Sequence, residues 1–239
     1  MKVLVINGSP RGENGNTMHL TRAFLEGAKW TDAEIIDVCK LDIKGCIGCF
    51  TCWTKTPGEC VLKDDMKNIL PKIIAADVVI WSYPLYYFNV PGQLKIFIDR
   101  QLPLVLPEMS ADTESGGHPS RYDFSKQRHF HISTCGFWTA EGNYDSIKVM
   151  YKRIEEDDKY TMDSIFVGQG ELFKLANYPN ADEIEQLKEL KQLVSPYMET
   201  VRRAGAEWAA GSISEETRRI LEQPLLPQEV YEESANSSW

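Results

Sequence analysis

Cys46, Cys49, Cys52 and Cys60 follow one another with the spacing C-x2-C-x2-C-x7-C. Thiolates set this close can converge on one iron–sulfur cluster, the use to which compact C-x2-C-x2-C runs are put. The same four sulfurs could hold a tetrahedral zinc ion, although zinc sites usually separate two C-x2-C knuckles more widely. Unligated thiols, chemically tolerable in a reducing compartment, are the third reading. Cys39 lies outside the spacing and reads as a core residue.

A second chemical signal precedes them. Gly8-Ser9-Pro10-Arg11-Gly12-Glu13-Asn14-Gly15-Asn16-Thr17 combines glycines with small hydroxyl and amide side chains just before a helical pattern. Backbone N–H groups in such a turn can face an anion at the helix N-terminus. The loop is neither the Lys-bearing loop of the NTPases nor the G-x-G-x-x-G dinucleotide fingerprint, and no Lys follows Gly15. An ordinary turn capped by Asn16 or Thr17 is the plain alternative.

Two further segments could border a ligand. Pro84-Leu85-Tyr86-Tyr87-Phe88-Asn89 places three successive aromatics in a loop, where they must cover something or pack on the helix that starts at Gly92. Thr134-Cys135-Gly136 closes a later strand; Cys135 reads equally as a small buried hydrophobe. His129 and His131 share one face of that strand, a metal-site spacing with no third ligand in view, so a packed face is expected. No Ser-His-Asp or paired-carboxylate pattern supports hydrolysis.

The elements that must position these residues alternate. Strands are expected at Lys2–Ile6, Glu34–Val38, Asp77–Ser82, Arg128–Thr134 and Ser164–Gly168. Helices are expected at Thr17–Lys29, Asp64–Ala76, Gly92–Arg100, Tyr144–Glu156 and Asp182–Ala210. A last short helix ends near Glu222, and Ser212-Ile213-Ser214-Glu215 fits a capping box at its start. Strand–helix alternation predicts an α/β fold, a doubly wound five-stranded parallel sheet with helices on both faces. Ser, Pro, Gly and Asp without periodicity make Leu102–Phe124 a long excursion. Residues 1–175 form the sheet domain; 176–239 add helices and a tail, irregular from Gln223, packing on the same domain or on a partner subunit.

The 239 residues suffice for a substantial core. Lys and Arg number 26 against 35 Asp and Glu, a net charge of -9, and no basic block offers a face for nucleic acid. No apolar run approaches the roughly 20 residues that span a bilayer, and the N-terminus lacks a signal-peptide core, so a cytoplasmic protein with no membrane partner is expected.

Taken together and in order, GSPRGENGNT after the first strand and SYPLYYFNVPGQLKIFIDR after the third resemble the NAD(P)H-dependent FMN reductase and flavodoxin-like oxidoreductase family. The resemblance implies that Ser9, Arg11, Asn16 and Thr17 hold the FMN phosphate. It places Pro84, Leu85, Tyr86, Tyr87, Phe88 and Asn89 along the flavin ring, and Thr134, Cys135 and Gly136 at its pyrimidine end. NAD(P)H would reduce the flavin, which would pass hydride or electrons to a small acceptor such as a quinone, azo, nitro or conjugated enone compound. A homodimer or homotetramer is implied as well. The cysteine segment is similar to the iron–sulfur flavoprotein branch, in which Cys46, Cys49, Cys52 and Cys60 would hold a [4Fe-4S] cluster exchanging electrons with ferredoxin. A thiol-based redox sensor is the remaining alternative.

Overall fold

The computed structural model describes residues 1–109, 116–158, 162–175 and 183–237. Strands β1 (Val3–Asn7), β2 (Glu34–Asp37), β3 (Val78–Pro84), β4 (Arg128–Thr134) and β5 (Met162–Val167) form one parallel sheet in the order β2-β1-β3-β4-β5. This is the flavodoxin-like arrangement. The helices in the first half are α1 (Asn16–Ala28), α2 (Thr51–Thr54), α3 (Met66–Ala75) and α4 (Gly92–Asp99). They are followed by α5 (Asp145–Asp158), α6 (Glu171–Leu175), α7 (Glu185–Ala210), α8 (Glu215–Leu221) and α9 (Gln228–Ser237).

The period of two along each strand sorts side chains onto two faces. Leu4, Ile6, Val79, Trp81 and Tyr83 meet Ile69, Ile73, Leu94, Phe97, Ile147 and Tyr151 from α3, α4 and α5. Val5, Ile80, Phe130 and Ile132 meet the opposite layer, formed by α1 and α7. There Phe24 stacks on Phe130 at 4.4 Å, Trp208 meets the same ring edge-on at 4.9 Å, and the Arg128 guanidinium lies 3.8 Å over Trp208. The C-terminal helix α7 thus completes the core of the sheet domain.

Several boundaries differ from the sequence expectation. α3 begins at Met66 because Asp64 and Asp65 are drawn away: Asp65 Oδ2 accepts the Asp42 amide at 2.8 Å, and Asp64 is buried against Arg100. The capping box at Ser212 does not form. Ser214 caps α8 instead, its Oγ accepting from Thr217 N at 3.3 Å, while Glu207 from α7 accepts the Ser214 amide at 2.9 Å. The tail is not irregular, since Gln228–Ser237 is helical and buries Tyr231. Residue 182, the expected start of the long helix, lies outside the described residues.

α1 and α7 cross with their backbones in contact at Gly205, where a Cβ would stand 2.0 Å from Phe24 O. Alanine at a helical position normally gains about 1 kcal/mol over glycine. Here overpacking of about 1–3 kcal/mol opposes that gain. Gly205→Ala is therefore expected to lower the free energy of unfolding in urea, and a variant more stable than wild type would contradict this crossing.

Candidate functional site

The loop after β1 leaves the sheet where the strand order reverses, between β1 and β3, the place at which open parallel sheets bind ligands. Gly8 N donates to Ser82 O at 2.8 Å and so starts the loop on β3. Gly15 caps α1 without a side chain, and a Cβ at that position would lie 2.4 Å from Ser9 Oγ. The Asn16 and Thr17 amides at the start of α1 are therefore left open to an outside acceptor, with the positive end of the helix dipole behind them, while Met18 N donates to Gly15 O. Ser9 is buried; its Oγ accepts the Arg11 amide at 3.3 Å and keeps its own proton for donation. Lys40 is taken by Asp37 and Arg22 by Glu13, whereas Arg11 is exposed and makes no ion pair among the described residues. Asn7 Nδ2 and Asn16 Oδ1 are buried with no partner among the described residues, which is costly in a closed interior and suits a loop built around a polar ligand. The expected phosphate residues Ser9, Arg11, Asn16 and Thr17 are thus brought together. The Thr17 hydroxyl, however, is spent on Thr134 Oγ1 at 2.7 Å, so Thr17 offers its amide.

That bond ties the first loop to the third. Leu85 N donates to Thr134 O at 2.8 Å and draws in the second. Beyond Leu85 the chain turns sharply: Tyr86 and Asn89 exchange N–H···O bonds of 2.9 and 3.0 Å, with Tyr87 at φ 51° and Phe88 at φ 62°. Two left-handed central residues define a type I′ turn, normally the place of Asn-Gly, so aromatics here carry backbone strain of the kind found at functional sites. Tyr87 is 99% exposed. Phe88 stacks on Phe137 at 5.4 Å, and its carbonyl accepts a bond from the Ser146 hydroxyl. The aromatic run therefore stands up beside the third loop rather than packing down on α4.

In the third loop Cys135 is inward. Its amide donates to Val167 O, its carbonyl accepts from Gly170 N, each at 2.8 Å, and burial pushes its thiol up. Because the peptide is trans, the Gly136 N–H points away from Gly170. Gly136 is exposed, and its N–H has no partner among the described residues.

The four cysteines line one pocket together with Arg100 and Leu102. Sequence spacing indicated this convergence; the α2 turn that carries Cys52 was not anticipated. Cys46 and Cys49 are exposed, Cys52 is buried, and Cys60 is half-buried with Sγ 3.4 Å from Arg100 Nη2. Hydrogen bonds from Thr51 lower the Cys49 thiol, while burial and then Cys60 raise that of Cys52. Among the described residues no three His, Cys, Asp or Glu side chains stand close enough together to hold one metal ion. The pocket they line measures about 20 Å³, room for about one water. Cys39, expected in the core, is half-buried behind the first loop, its Sγ 3.8 Å from Gly8 O.

Arg100 and Asp64 anchor this loop, and both were missed in the sequence, where nothing marks a pair 36 positions apart. Both side chains are buried; Arg100 Nη1 lies 2.5 Å from Asp64 Oδ2 and 2.7 Å from Lys44 O. Burial works against the Asp64 charge, but Arg100 and the backbone donors outweigh it and hold the carboxyl below its usual range.

His129 and His131 form the packed face expected of them. Gln127 spends its amide Nε2 on the carbonyls of Ile73 and Ala76, both at 2.8 Å, which leaves Oε1 to accept from His129 Nε2. His129 Nδ1 then accepts from Trp81 Nε1 at 3.1 Å, fixing a neutral tautomer. His131 Nδ1 meets Tyr83 OH at 3.1 Å.

Comparison with known proteins agrees with this geometry. Residues 1–109 match the family model described as NADPH-dependent FMN reductase. An iron-sulfur flavoprotein of Methanocaldococcus jannaschii is 41% identical over 106 residues, covering 44% of this chain and 53% of the relative. An FMN-dependent NADH:quinone oxidoreductase of Pseudoalteromonas atlantica is 31% identical over 109 residues, covering 41% and 53%. The chain spans about half the length of the curated relatives it matches. In fold it is similar to an FMN-dependent NADH-azoreductase from Bacillus anthracis in complex with FMN, with a TM-score of 0.54 at 17% identity over 87% of this chain and 100% of that one. No helix among the described residues is long and apolar enough to cross a membrane.

The histidine pair has a consequence for acid stability. Burial lowers His129 to about 3, and burial with His129 holds His131 well below its ordinary value. The unfolded chain takes up both protons near pH 6.5. The folded state is therefore favoured above about pH 6.5 and loses that advantage as pH falls toward 3. The urea midpoint should drop between pH 7 and pH 5, and His129→Gln should flatten the slope; an unchanged slope in that variant would assign the proton uptake elsewhere.

Proposed function

We propose that this chain, whose first 109 residues match the NADPH-dependent FMN reductase model, is an FMN-dependent NAD(P)H oxidoreductase acting on a small planar acceptor. The observation that carries the reading is the side-chain-free cap of α1 at Gly15, set at the strand-order reversal beside Ser9 and Arg11. Ser9 donates its hydroxyl, Arg11 its guanidinium, and Asn16 and Thr17 their amides, to the FMN phosphate. The Pro84–Asn89 turn borders the ring, with the Tyr87 and Phe88 amides free of partners among the described residues. Gly136 N–H addresses the pyrimidine edge, where a donor stabilises negative charge on reduced flavin. FMN, when bound, supplies the hydride and electron chemistry. Tyr86, Tyr87, Phe88 and Phe137 are exposed aromatics that suit stacking of a nicotinamide, and then of a quinone, azo, nitro or enone acceptor. They also suit a subunit interface, and we extend the reading to a cytoplasmic homodimer or homotetramer. Arg11→Ala is expected to weaken FMN binding about tenfold, in line with a charge-assisted bond of about 1.5 kcal/mol, while leaving the circular dichroism spectrum unchanged. Unaltered affinity by fluorescence titration would remove Arg11 from the site.

A second reading is favoured by the shared pocket of Cys46, Cys49, Cys52 and Cys60, together with relatives named iron-sulfur flavoprotein. On this reading the four thiols hold a [4Fe-4S] cluster and the protein carries electrons. Anaerobically purified protein should then contain iron and acid-labile sulfide in matching amounts, and Cys49→Ser should lose both. Flavin-loaded protein without iron would leave the first reading alone.

A further inference from the structure

The last segment of the described chain is built into the loop that follows β4. Gln169 is buried at φ 56° and holds both sides of this junction. Its Nε2 donates to Leu226 O at 2.9 Å and to Trp138 O at 3.2 Å, and its Oε1 accepts Leu226 N at 3.0 Å. Trp138 Nε1 also donates to Leu226 O, at 3.1 Å. In the helix that follows, Tyr231 is buried, its single hydroxyl proton shared between Gly136 O, at 2.9 Å, and Glu171 Oε1. Burial, reinforced by Glu171, raises the Tyr231 hydroxyl above its ordinary value, so the phenol keeps its proton.

Gly136 has no Cβ to restrict its backbone, so its peptide planes are held only by what binds them. On one side Gly170 N holds the Cys135 carbonyl, and on the other Tyr231 reaches the Gly136 carbonyl. The N–H between these two anchors is the donor assigned above to the flavin. We infer that residues 223–237 are a C-terminal strap belonging to the flavin site, in which Tyr231 and Gln169 are positioning residues that fix the direction of the Gly136 N–H. This rests on the FMN reading. Neither residue lies within the stretch that matches the reductase family model.

The test uses the full-length protein with Tyr231→Phe, which removes the hydroxyl and keeps the ring, and Gln169→Glu as a second variant. Amide hydrogen exchange at Gln169 and Gly170, whose N–H groups hold the Phe137 and Cys135 carbonyls of the loop, is read on FMN-free protein, and FMN affinity by fluorescence titration. Both variants should exchange faster at these two amides, and the FMN Kd should rise about fivefold, the effect of one hydrogen bond of about 1 kcal/mol. Wild-type exchange in both variants would overturn the strap. Faster exchange with an unchanged Kd would overturn its service to the flavin. A wild-type protein that bound no FMN would overturn the flavin reading itself, and the exchange data would still judge whether the strap holds the loop.

Discussion

A parallel sheet delivers every strand-to-helix turn to the same edge, and the structure depends on that constraint. Between β1 and β3 the path of the chain divides, first to β2 on one side and then across to β3, β4 and β5 on the other. The turns after β1, β3 and β4 therefore flank one crevice although residues 8, 84 and 134 are far apart in sequence. Hydrogen bonds then fix their relative height. Thr17 to Thr134 joins the first loop to the third, Leu85 to Thr134 joins the second, and Gly8 to Ser82 seats the first loop on β3. Removal of the Thr134 side chain would loosen one loop, whereas a change in strand order would abolish the crevice.

Beneath the crevice, α4 connects two chemically distinct regions. It starts at Gly92, just past the strained aromatic turn, and ends against Arg100, whose guanidinium holds Asp64, the Lys44 carbonyl and Cys60 Sγ. A buried ion pair of this kind is weak grounds for extra stability, since desolvation offsets most of its Coulomb attraction, but losing one partner costs about 3–5 kcal/mol. What Arg100 contributes is geometry: it fixes the back of the cysteine pocket to the same helix that sets out from the aromatic turn. Trp53 adds a second tie, donating to Leu102 O at 3.1 Å and packing 4.8 Å from His118. The cysteine loop and the start of the long excursion consequently share a wall.

Much of this was legible before any coordinates, for identifiable reasons. The β-branched runs at Val3–Asn7 and Val78–Pro84 lie in the interior of the sheet, where continuous apolar sequence and burial on both faces coincide. Glycine-rich composition marked the first loop, and three aromatics in a row marked the second. Sequence could not show that the Thr17 hydroxyl is consumed by Thr134, since that pairing depends on two turns meeting in space. It placed Asp64 and Asp65 at a helix dipole, a local rule, and the distant Arg100 overrode it. The tail was read as irregular because Pro224 and Pro227 break its periodicity; yet Pro227 O accepts the Tyr231 amide at 3.0 Å and opens α9 rather than preventing it.

The match to the reductase model ends at residue 109, and the architecture divides at nearly the same place. Everything proposed to grip the FMN phosphate lies before residue 18, and the turn along the ring ends at Asn89. The third loop, the Phe137 ring that stacks on Phe88, and the Gln169–Leu226–Tyr231 network all come from the later half. On the proposed reading the phosphate grip and the pyrimidine edge of the ring are served by different stretches of chain, meeting at Thr17–Thr134 and Phe88–Phe137. A later half that diverges can change the walls of the crevice and leave much of the phosphate loop in place, because the loop's contacts to Asn7, Ser82 and Gly12 are made within the first 109 residues, while Thr17 links it to Thr134.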